Sequence, residues 1–230
     1  MTQQGVLWDM DGVLVDTGEF HYQSWTAVLP DYGIEFSREF FRDTFGMNNT
    51  GILSLLLGEE LTPELLDEIG ERKEQWFREV IQGQARPLPG VLDWLQRLKE
   101  AGFRQGVASS APPANIDTLV DGLGLRDYFG VRVSGVDLPG KPEPTLFLKA
   151  ARLLNVPPER CVVVEDAVAG VEAAKRAGMK CIAVTTTNPA EALEAADIVV
   201  ERLDALAADA FRRLAAGGEP ALSNQTHQGG

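Results

Sequence analysis

The chain has 230 residues, which is enough for one large α/β domain or for such a domain with a smaller one attached. Its hydrophobic fraction of 44% and charged fraction of 24% are typical of a folded globular protein. The net charge of −13 excludes the basic surface that nucleic acid or an anionic membrane requires, so we expect neither as a partner.

Six short apolar runs rich in β-branched residues predict β-strands. They cover residues 5–8, 105–108, 131–134, 161–164, 181–184 and 198–200. Amphipathic helical patterns lie between the later runs, at residues 91–102, 115–125, 144–155 and 169–178. Strands that alternate with helices predict an α/β fold, a Rossmann-like, doubly wound parallel sheet covered by helices on both faces.

Residues 17–85 interrupt that alternation, because they contain helical patterns and no convincing strand. We interpret them as a smaller helical domain inserted after the first strand, with residues 1–16 and 86–216 forming the core. The Gly-rich, polar residues 217–230 are typical of a disordered tail. No secretory leader and no apolar run of 18 residues is evident, so a cytoplasmic location is expected.

Reactive side chains follow four of the predicted strands. Ligands of parallel sheets bind at the carboxyl ends of the strands, so these side chains are expected to meet at one edge. They are Asp9 and Asp11 after the first strand, Ser109 and Ser110 after the second, Lys141 beyond the third, and Glu165 and Asp166 after the fourth.

This set of residue types suits phosphoryl transfer. Carboxylates hold Mg²⁺, while a lysine and serine hydroxyls stabilise the phosphate oxygens. One residue separates Asp9 from Asp11, so both can reach one phosphorus atom. Asp9 would attack and form an aspartyl-phosphate, and Asp11 would carry the proton of the leaving oxygen and then of water.

The four motifs together resemble those of the haloacid dehalogenase-like hydrolases, over nearly the whole chain to about residue 215. They are Asp9-Met-Asp11-Gly-Val-Leu-Val-Asp-Thr, Ser109, Lys141 within Gly-Lys-Pro-Glu-Pro, and Glu165-Asp166. The resemblance extends to the subgroup of β-phosphoglucomutases and phosphatases, in which the helical insert is a cap.

The resemblance implies a role for each motif residue. Asp9 would be the nucleophile and Asp11 the acid/base, with Mg²⁺ held by the Asp9 and Asp166 carboxylates and the Asp11 main-chain carbonyl, and with Glu165 in support. Family members that release halide lack the second acid, because a halide leaves without a proton. Asp11 therefore indicates phosphate chemistry.

Two residues of the insert, His21 and Lys73, resemble positions of the cap that face the substrate. Two interpretations of each stay open. His21 would contact the substrate or would be a structural histidine at the domain hinge. Lys73 would reach a distal phosphate or would lie on a solvated face of a charged helix.

The cap departs from the mutases at Phe45 and Asn49, which occupy positions where those enzymes carry a lysine and an arginine. Asn48 and Asn49 can still hydrogen-bond sugar hydroxyls or one phosphate. We therefore expect a Mg²⁺-dependent phosphatase of a small phosphorylated metabolite, such as a sugar phosphate. The alternatives are a β-phosphoglucomutase-like isomerase and, less favoured, a non-enzymatic phosphoacceptor module. A cap that covers its own site requires no second chain, so a monomer is expected.

Overall fold

The protein is described by a computed structural model that covers residues 3–217. Its central element is one parallel sheet of six strands in the order β3-β2-β1-β4-β5-β6. The strands are β1 (Gly5–Trp8), β2 (Arg104–Ser109), β3 (Val131–Ser134), β4 (Cys161–Glu165), β5 (Lys180–Val184) and β6 (Ile198–Val200). The six predicted strands are confirmed to within one residue at each end.

Nine α-helices accompany the sheet within residues 3–217. Those of the insert are α1 (Gly18–Val28), α2 (Arg38–Thr44), α3 (Asn49–Leu57) and α4 (Pro63–Ile81). Those beside the sheet are α5 (Val91–Glu100), α6 (Pro113–Gly122), α7 (Thr145–Leu154), α8 (Val168–Arg176) and α9 (Ala210–Ala215).

Strand β1 lies at the centre of the sheet and pairs with β2 on one side and β4 on the other. Its side chains alternate between two apolar clusters. Val6 and Trp8 pack with helices α5, α6 and α9, whereas Leu7 packs with α7 and α8. Both faces are therefore covered, as predicted. From β1 the chain first builds the sheet outward through β2 and β3, and then returns to add β4, β5 and β6 on the other side of β1. Parallel sheets open a crevice for ligands at such a switch point, here between β1 and β4.

The four helices of the insert have a hydrophobic core of their own, which confirms the expected architecture of a parallel sheet with an inserted helical cap. Its buried members are Trp25, Val28, Leu29, Phe41, Ile52, Leu53 and Ile69. Three of the helices begin with a side-chain cap, in which an oxygen of Ser37, Asn48 or Thr62 accepts a hydrogen bond from a main-chain N–H of the first turn. The last turns of α4 leave this cluster, since Phe77 and Ile81 pack with the core of the sheet.

Three further features concern the cysteines, membrane-spanning helices and the chain end. Cys161 and Cys181 are buried free thiols, in agreement with their place in strands. No helix within residues 3–217 combines the length and apolar character needed to cross a membrane. The tail predicted to be disordered lies, after Gly217, outside the described residues.

Candidate active site

The carboxyl ends of four strands meet in one cavity of about 340 Å³, which we call the acidic cavity. All seven core residues that the sequence singles out line it: Asp9, Asp11, Ser109, Ser110, Lys141, Glu165 and Asp166. The expectation that they converge at one edge of the sheet is therefore met by the geometry.

The turn after β1 places the two aspartates. The N–H of Asp9 donates to the Val164 carbonyl at 3.0 Å, which extends the strand pairing by one residue. Gly12 then turns the chain with a φ of +76°, a value that side chains rarely tolerate. A Cβ at Gly12 would also collide with the Asp166 carboxylate, so this glycine both turns the chain and admits Asp166 to the site.

Lys141, in the loop that follows β3, joins the ends of β1 and β4. Its Nζ donates to Asp9 Oδ1 at 2.6 Å and also to Glu165 Oε1. Burial disfavours the ammonium, but the carboxylates of Asp9 and Glu165 outweigh that effect and raise the pKa of Lys141. The lysine therefore carries a permanent positive charge against Asp9.

Glu165 is fully buried and its oxygens are already bonded. Oε1 accepts from Lys141, and Oε2 accepts from the N–H groups of Asp166 and Ala167 at 2.8 and 2.9 Å. Gly170 lies so close that a Cβ there would collide with the carboxylate. This arrangement makes Glu165 a group that positions Lys141 and the following turn.

The acidic cavity holds more carboxylates than Lys141 can neutralise. Burial, with the nearby charges of Glu165 and Asp11, raises the pKa of Asp9 to about 7. Burial and the charges of Glu165 and Asp9 also hold the pKa of Asp166 well above its usual range, although Thr187 donates a hydrogen bond to its Oδ2. Crowded buried carboxylates of this kind need a further positive charge to ionise fully.

The carboxylate of Asp11 has different surroundings, built from the cap. Its Oδ1 accepts from Thr17 Oγ1 at 2.6 Å and lies 3.4 Å from His21 Nε2. Burial opposes ionisation of Asp11, but the bonds to His21 and Thr17 outweigh it and hold the pKa of Asp11 below its ordinary value. The two aspartates of one motif thus have pKa values shifted in opposite directions.

His21 connects Asp11 to a lysine of helix α4. The ammonium of Lys73 donates to His21 Nδ1 at 2.9 Å. Because an ammonium only donates, Nδ1 must be an acceptor, and the proton of the neutral ring is on Nε2, facing Asp11. Burial and the charge of Lys73 lower the pKa of His21, in agreement with a neutral ring.

Lys73 is buried, with 3% of its surface exposed, so the interpretation of a solvated helix face is wrong. Its Nζ also donates to Glu74 Oε1 at 2.9 Å. Glu74 in turn accepts from Asn49 Nδ2 at 2.9 Å and from Asn115 Nδ2 at 2.5 Å. A chain of bonds therefore runs from helix α6 of the core through the cap to Asp11.

These cap residues line a second cavity of about 180 Å³ beside the acidic one, which we call the cap cavity. Its polar side chains include Asp11, His21, Lys73, Glu74, Asn48, Asn49 and Ser110. Its apolar wall is formed by Trp25, Phe41, Phe45, Met47, Ile52, Ala111, Pro112 and Val136. Asn48 accepts from the Gly51 N–H through Oδ1 at 2.8 Å, so that oxygen also caps α3.

The structure adds four residues to those expected from the sequence. Thr187 and Asn188 line the acidic cavity and bond Asp166, and Glu74 and Asn115 line the cap cavity. Thr187 and Asn188 follow the fifth strand, so the rule of inspecting strand ends would have found them. Glu74 and Asn115 carry no such signal, because only the packing of α4 against α6 brings them together.

The donors that face the acidic cavity fit a hard divalent cation. Within residues 3–217, no three His, Cys, Asp or Glu side chains converge on one point, so side chains alone do not complete a site. The carboxylates of Asp9 and Asp166, which line the cavity, are hard oxygen donors of the kind that Mg²⁺ prefers. The excess of buried negative charge favours such an ion.

The chain resembles known proteins in sequence and in fold. It is 32% identical over 193 residues to the phosphorylated carbohydrates phosphatase of Thermotoga maritima, covering 83% of this chain and 89% of that one. It is 32% identical over 214 residues to the chloroplastic 5-amino-6-(5-phospho-D-ribitylamino)uracil phosphatase of Arabidopsis thaliana. That match covers 92% of this chain but 57% of the length of the Arabidopsis protein.

A crystal structure of β-phosphoglucomutase from Clostridium difficile superposes with a TM-score of 0.84 at 25% identity, covering 94% of this chain and 98% of that one. The family model of the haloacid dehalogenase-like hydrolases matches residues 3–178, which include all four motifs. With the motif side chains gathered at one edge of the sheet beneath a helical cap, this chain belongs to the haloacid dehalogenase-like hydrolases.

Proposed function

We propose that this enzyme is a phosphatase of a small phosphorylated metabolite, such as a sugar phosphate, and that it acts through an aspartyl-phosphate on Asp9. The enzyme is a phosphoric monoester hydrolase. The observation that carries the proposal is the Asp9 carboxylate, buried, held at Oδ1 by Lys141 and adjacent to Asp11 in one cavity. The phosphorylated carbohydrates phosphatase among the relatives supports a sugar phosphate as substrate.

Asp9 is the nucleophile of the first step. With Oδ1 held by Lys141, the other carboxylate oxygen forms the bond to phosphorus as the bond to the leaving oxygen breaks. The Lys141 ammonium and the serines bind the oxygens of the transferring group. Ser109 Oγ accepts from the Ala111 N–H at 3.1 Å, which leaves its own O–H to donate to phosphate. Ser110 lines both cavities.

Asp11 carries protons in both steps. Its lowered pKa suits the second step, in which it takes a proton from the water that hydrolyses the aspartyl-phosphate. A phosphate dianion beside Asp11 opposes its ionisation, so substrate binding raises the pKa of Asp11 and allows it to protonate the leaving oxygen in the first step. Thr17 and the neutral ring of His21 hold the carboxylate in place.

The residues that would hold Mg²⁺ are Asp9 and Asp166 through their carboxylates and Asp11 through its main-chain carbonyl. Glu165 supports them from outside this set, since its oxygens are bonded to Lys141 and the main chain. When bound, the ion supplies positive charge that offsets the repulsion between the nucleophile and the phosphate.

A β-phosphoglucomutase-like isomerase is the alternative that the fold of the Clostridium difficile enzyme favours. Both reactions use the same aspartyl-phosphate and differ in whether water or a sugar hydroxyl accepts the phosphoryl group. Phe45 and Asn49 make the isomerase the less favoured choice, because neither supplies a cation for a bisphosphate. A non-enzymatic phosphoacceptor module does not agree with membership of a hydrolase family.

The nucleophile is tested with Asp9→Asn, assayed with p-nitrophenyl phosphate and Mg²⁺. The amide cannot form the acyl phosphate, so we expect turnover to fall by more than about a thousandfold while the circular dichroism spectrum is unchanged. Asp16→Asn is the matched control, because Asp16 is exposed and its Oδ1, which accepts from the Gly18 N–H, is kept in asparagine. An Asp9→Asn variant with the turnover of the control would refute the assignment.

A further inference from the structure

The cap cavity contains a single basic residue among the described residues that line it. This residue is Lys73, since His21 is neutral. The other ionisable side chains in the lining are Asp11 and Glu74. The wall facing the position of a leaving group therefore carries a net negative charge.

The ammonium of Lys73 borders the cap cavity but is held by partners within the protein. It donates to Glu74 Oε1 and to His21 Nδ1, both at 2.9 Å. The rings of Trp25 and Phe77 lie 5.1 and 5.6 Å from its Nζ, within the range of cation–π attraction. Two of the three N–H groups of the ammonium are thus bonded within the protein, and Glu74 balances its charge.

Glu74 cannot easily move away from Lys73. The amide of Asn49 and the amide of Asn115 each donate to its carboxylate, and 6% of its surface is exposed. The oxygen Oδ1 of Asn115 is held in turn by Arg78 at 2.9 Å. The buried pair of Lys73 and Glu74 thus forms a neutral unit fixed by two helices of the cap and one of the core.

We propose that the pair of Lys73 and Glu74 selects the substrate class. The substrates are monophosphate esters whose leaving group is uncharged and no larger than about a six-membered ring. Glu74 rejects a leaving group that carries a second phosphate. This inference rests on the phosphatase function proposed above. The cavity of about 180 Å³ is slightly larger than the roughly 150 Å³ that holds a benzene ring. A second phosphate, with a charge of about −1.5 to −2, would meet Glu74 and Asp11 in a cavity whose described lining residues include no unpaired cation.

The wild-type enzyme is tested by inhibition of p-nitrophenyl phosphate hydrolysis. The inhibitors are matched pairs, glucose 6-phosphate with glucose 1,6-bisphosphate and fructose 6-phosphate with fructose 1,6-bisphosphate. We expect each bisphosphate to inhibit at least tenfold more weakly than its monophosphate. Equal inhibition within both pairs, or stronger inhibition by the bisphosphates, would overturn the inference. Failure to release p-nitrophenol at all would instead overturn the phosphatase function, and the inference with it.

The role of Glu74 is tested with Glu74→Gln, which keeps the shape of the side chain and frees the charge of Lys73. We expect the ratio of bisphosphate to monophosphate inhibition constants to fall about tenfold or more. Glu71→Gln is the matched control, because Glu71 is an exposed glutamate of the same helix. An unchanged ratio in folded Glu74→Gln would overturn the assignment of Glu74.

A second variant adds a cation without disturbing the buried pair. Met47 lines the cap cavity and is 45% exposed, so Met47→Lys should fold and should also lower the ratio of inhibition constants. Leu55→Lys makes the same change at a cap residue that is 60% exposed and outside the lining, and should leave the ratio as in the wild type. The same shift in both variants would mean that overall charge, and not the cavity, sets the preference.

Discussion

Lys73 is a buried lysine in a helix whose charged residues are mostly exposed to solvent. Helix α4 is rich in charged residues, and most of them are exposed, yet Lys73 and Glu74 are buried next to each other. Two buried charges are tolerated here because each has several hydrogen-bond partners, including His21, Asn49 and Asn115. Adjacent residues in the sequence thus form an internal ion pair that connects the cap to Asp11.

The pair makes a residue-scale prediction for stability. Lys73→Met leaves the Glu74 carboxylate buried without its cation, so we expect a loss of about 3–5 kcal/mol in the free energy of unfolding. Adding Glu74→Gln to Lys73→Met removes the unpaired charge and should recover a large part of that loss. Urea denaturation of the two single variants and the double variant measures both effects. Additive losses would show that the two charges do not interact.

At the scale of elements, the edge strand β6 is tied to its neighbour by one side chain. The carboxylate of Asp197 accepts from the Cys181 N–H at 2.8 Å, from Lys175 Nζ at 2.7 Å and from Lys180 Nζ at 3.0 Å. Burial opposes its ionisation, but these three donors outweigh burial and hold the pKa of Asp197 below its ordinary value of 3.8. Asp197 thus connects α8, β5 and the start of β6.

This connection predicts a pH-dependent stability. Folding lowers the pKa of Asp197. The Asp197 carboxylate therefore contributes to the free energy of unfolding at pH values above its ordinary pKa, and this contribution is lost as the pH falls through the lower pKa of the folded state. Asp197→Asn should be less stable than the wild type at pH 7 by about 1 kcal/mol, a figure reduced for the partial exposure of the lysines. This difference in stability between Asp197→Asn and the wild type should become smaller below about pH 4.

Thermal unfolding of Asp197→Asn and of the wild type between pH 7 and pH 2.5 measures this difference in stability. Asp67→Asn is the control, since Asp67 is exposed on helix α4, and its unfolding temperature should follow the wild type throughout. A difference in stability for Asp197→Asn that stays constant down to pH 2.5 would contradict the proposed role of its charge.

At the scale of the whole molecule, negative charge is concentrated where the reaction is proposed to occur. The chain carries a net charge of −13, and four of its carboxylates line the acidic cavity with Lys141 as the one lysine or arginine among its described lining residues. Such a site repels a phosphate unless a cation accompanies it. Binding of a divalent cation should therefore contribute to stability as well as to catalysis.

The predicted contribution is measured by thermal unfolding with and without Mg²⁺. At a Mg²⁺ concentration about a hundred times its Kd, the ion should stabilise the wild type by about 2.7 kcal/mol, or roughly 5–10 °C. Asp166→Asn should lose most of this rise, whereas Asp16→Asn, which changes an exposed aspartate, should keep it. A chelator should abolish phosphate release. An equal rise in all three proteins would exclude Asp166 as a ligand.

The sequence by itself determined three features: where the strands lie, that they alternate with helices and so form a parallel sheet, and which residue types follow the strand ends. These features are local: β-branched runs end in Asp9, Ser109 or Glu165, and a parallel sheet brings all such ends to one edge whatever the details of packing. The helical insert was equally visible, because its periodicity differs from that of strands.

Only the tertiary structure decided the partners across the cap. The bonds of Lys73 to His21 and of Glu74 to Asn115 join residues 52 and 41 positions apart. They depend on how α4 packs against α1 and α6, which hydrophobic periodicity does not specify for a charged residue. The character of the cap cavity follows from that packing, since the same lysine would be a free cation on a solvated face and is a neutralised one beside Glu74.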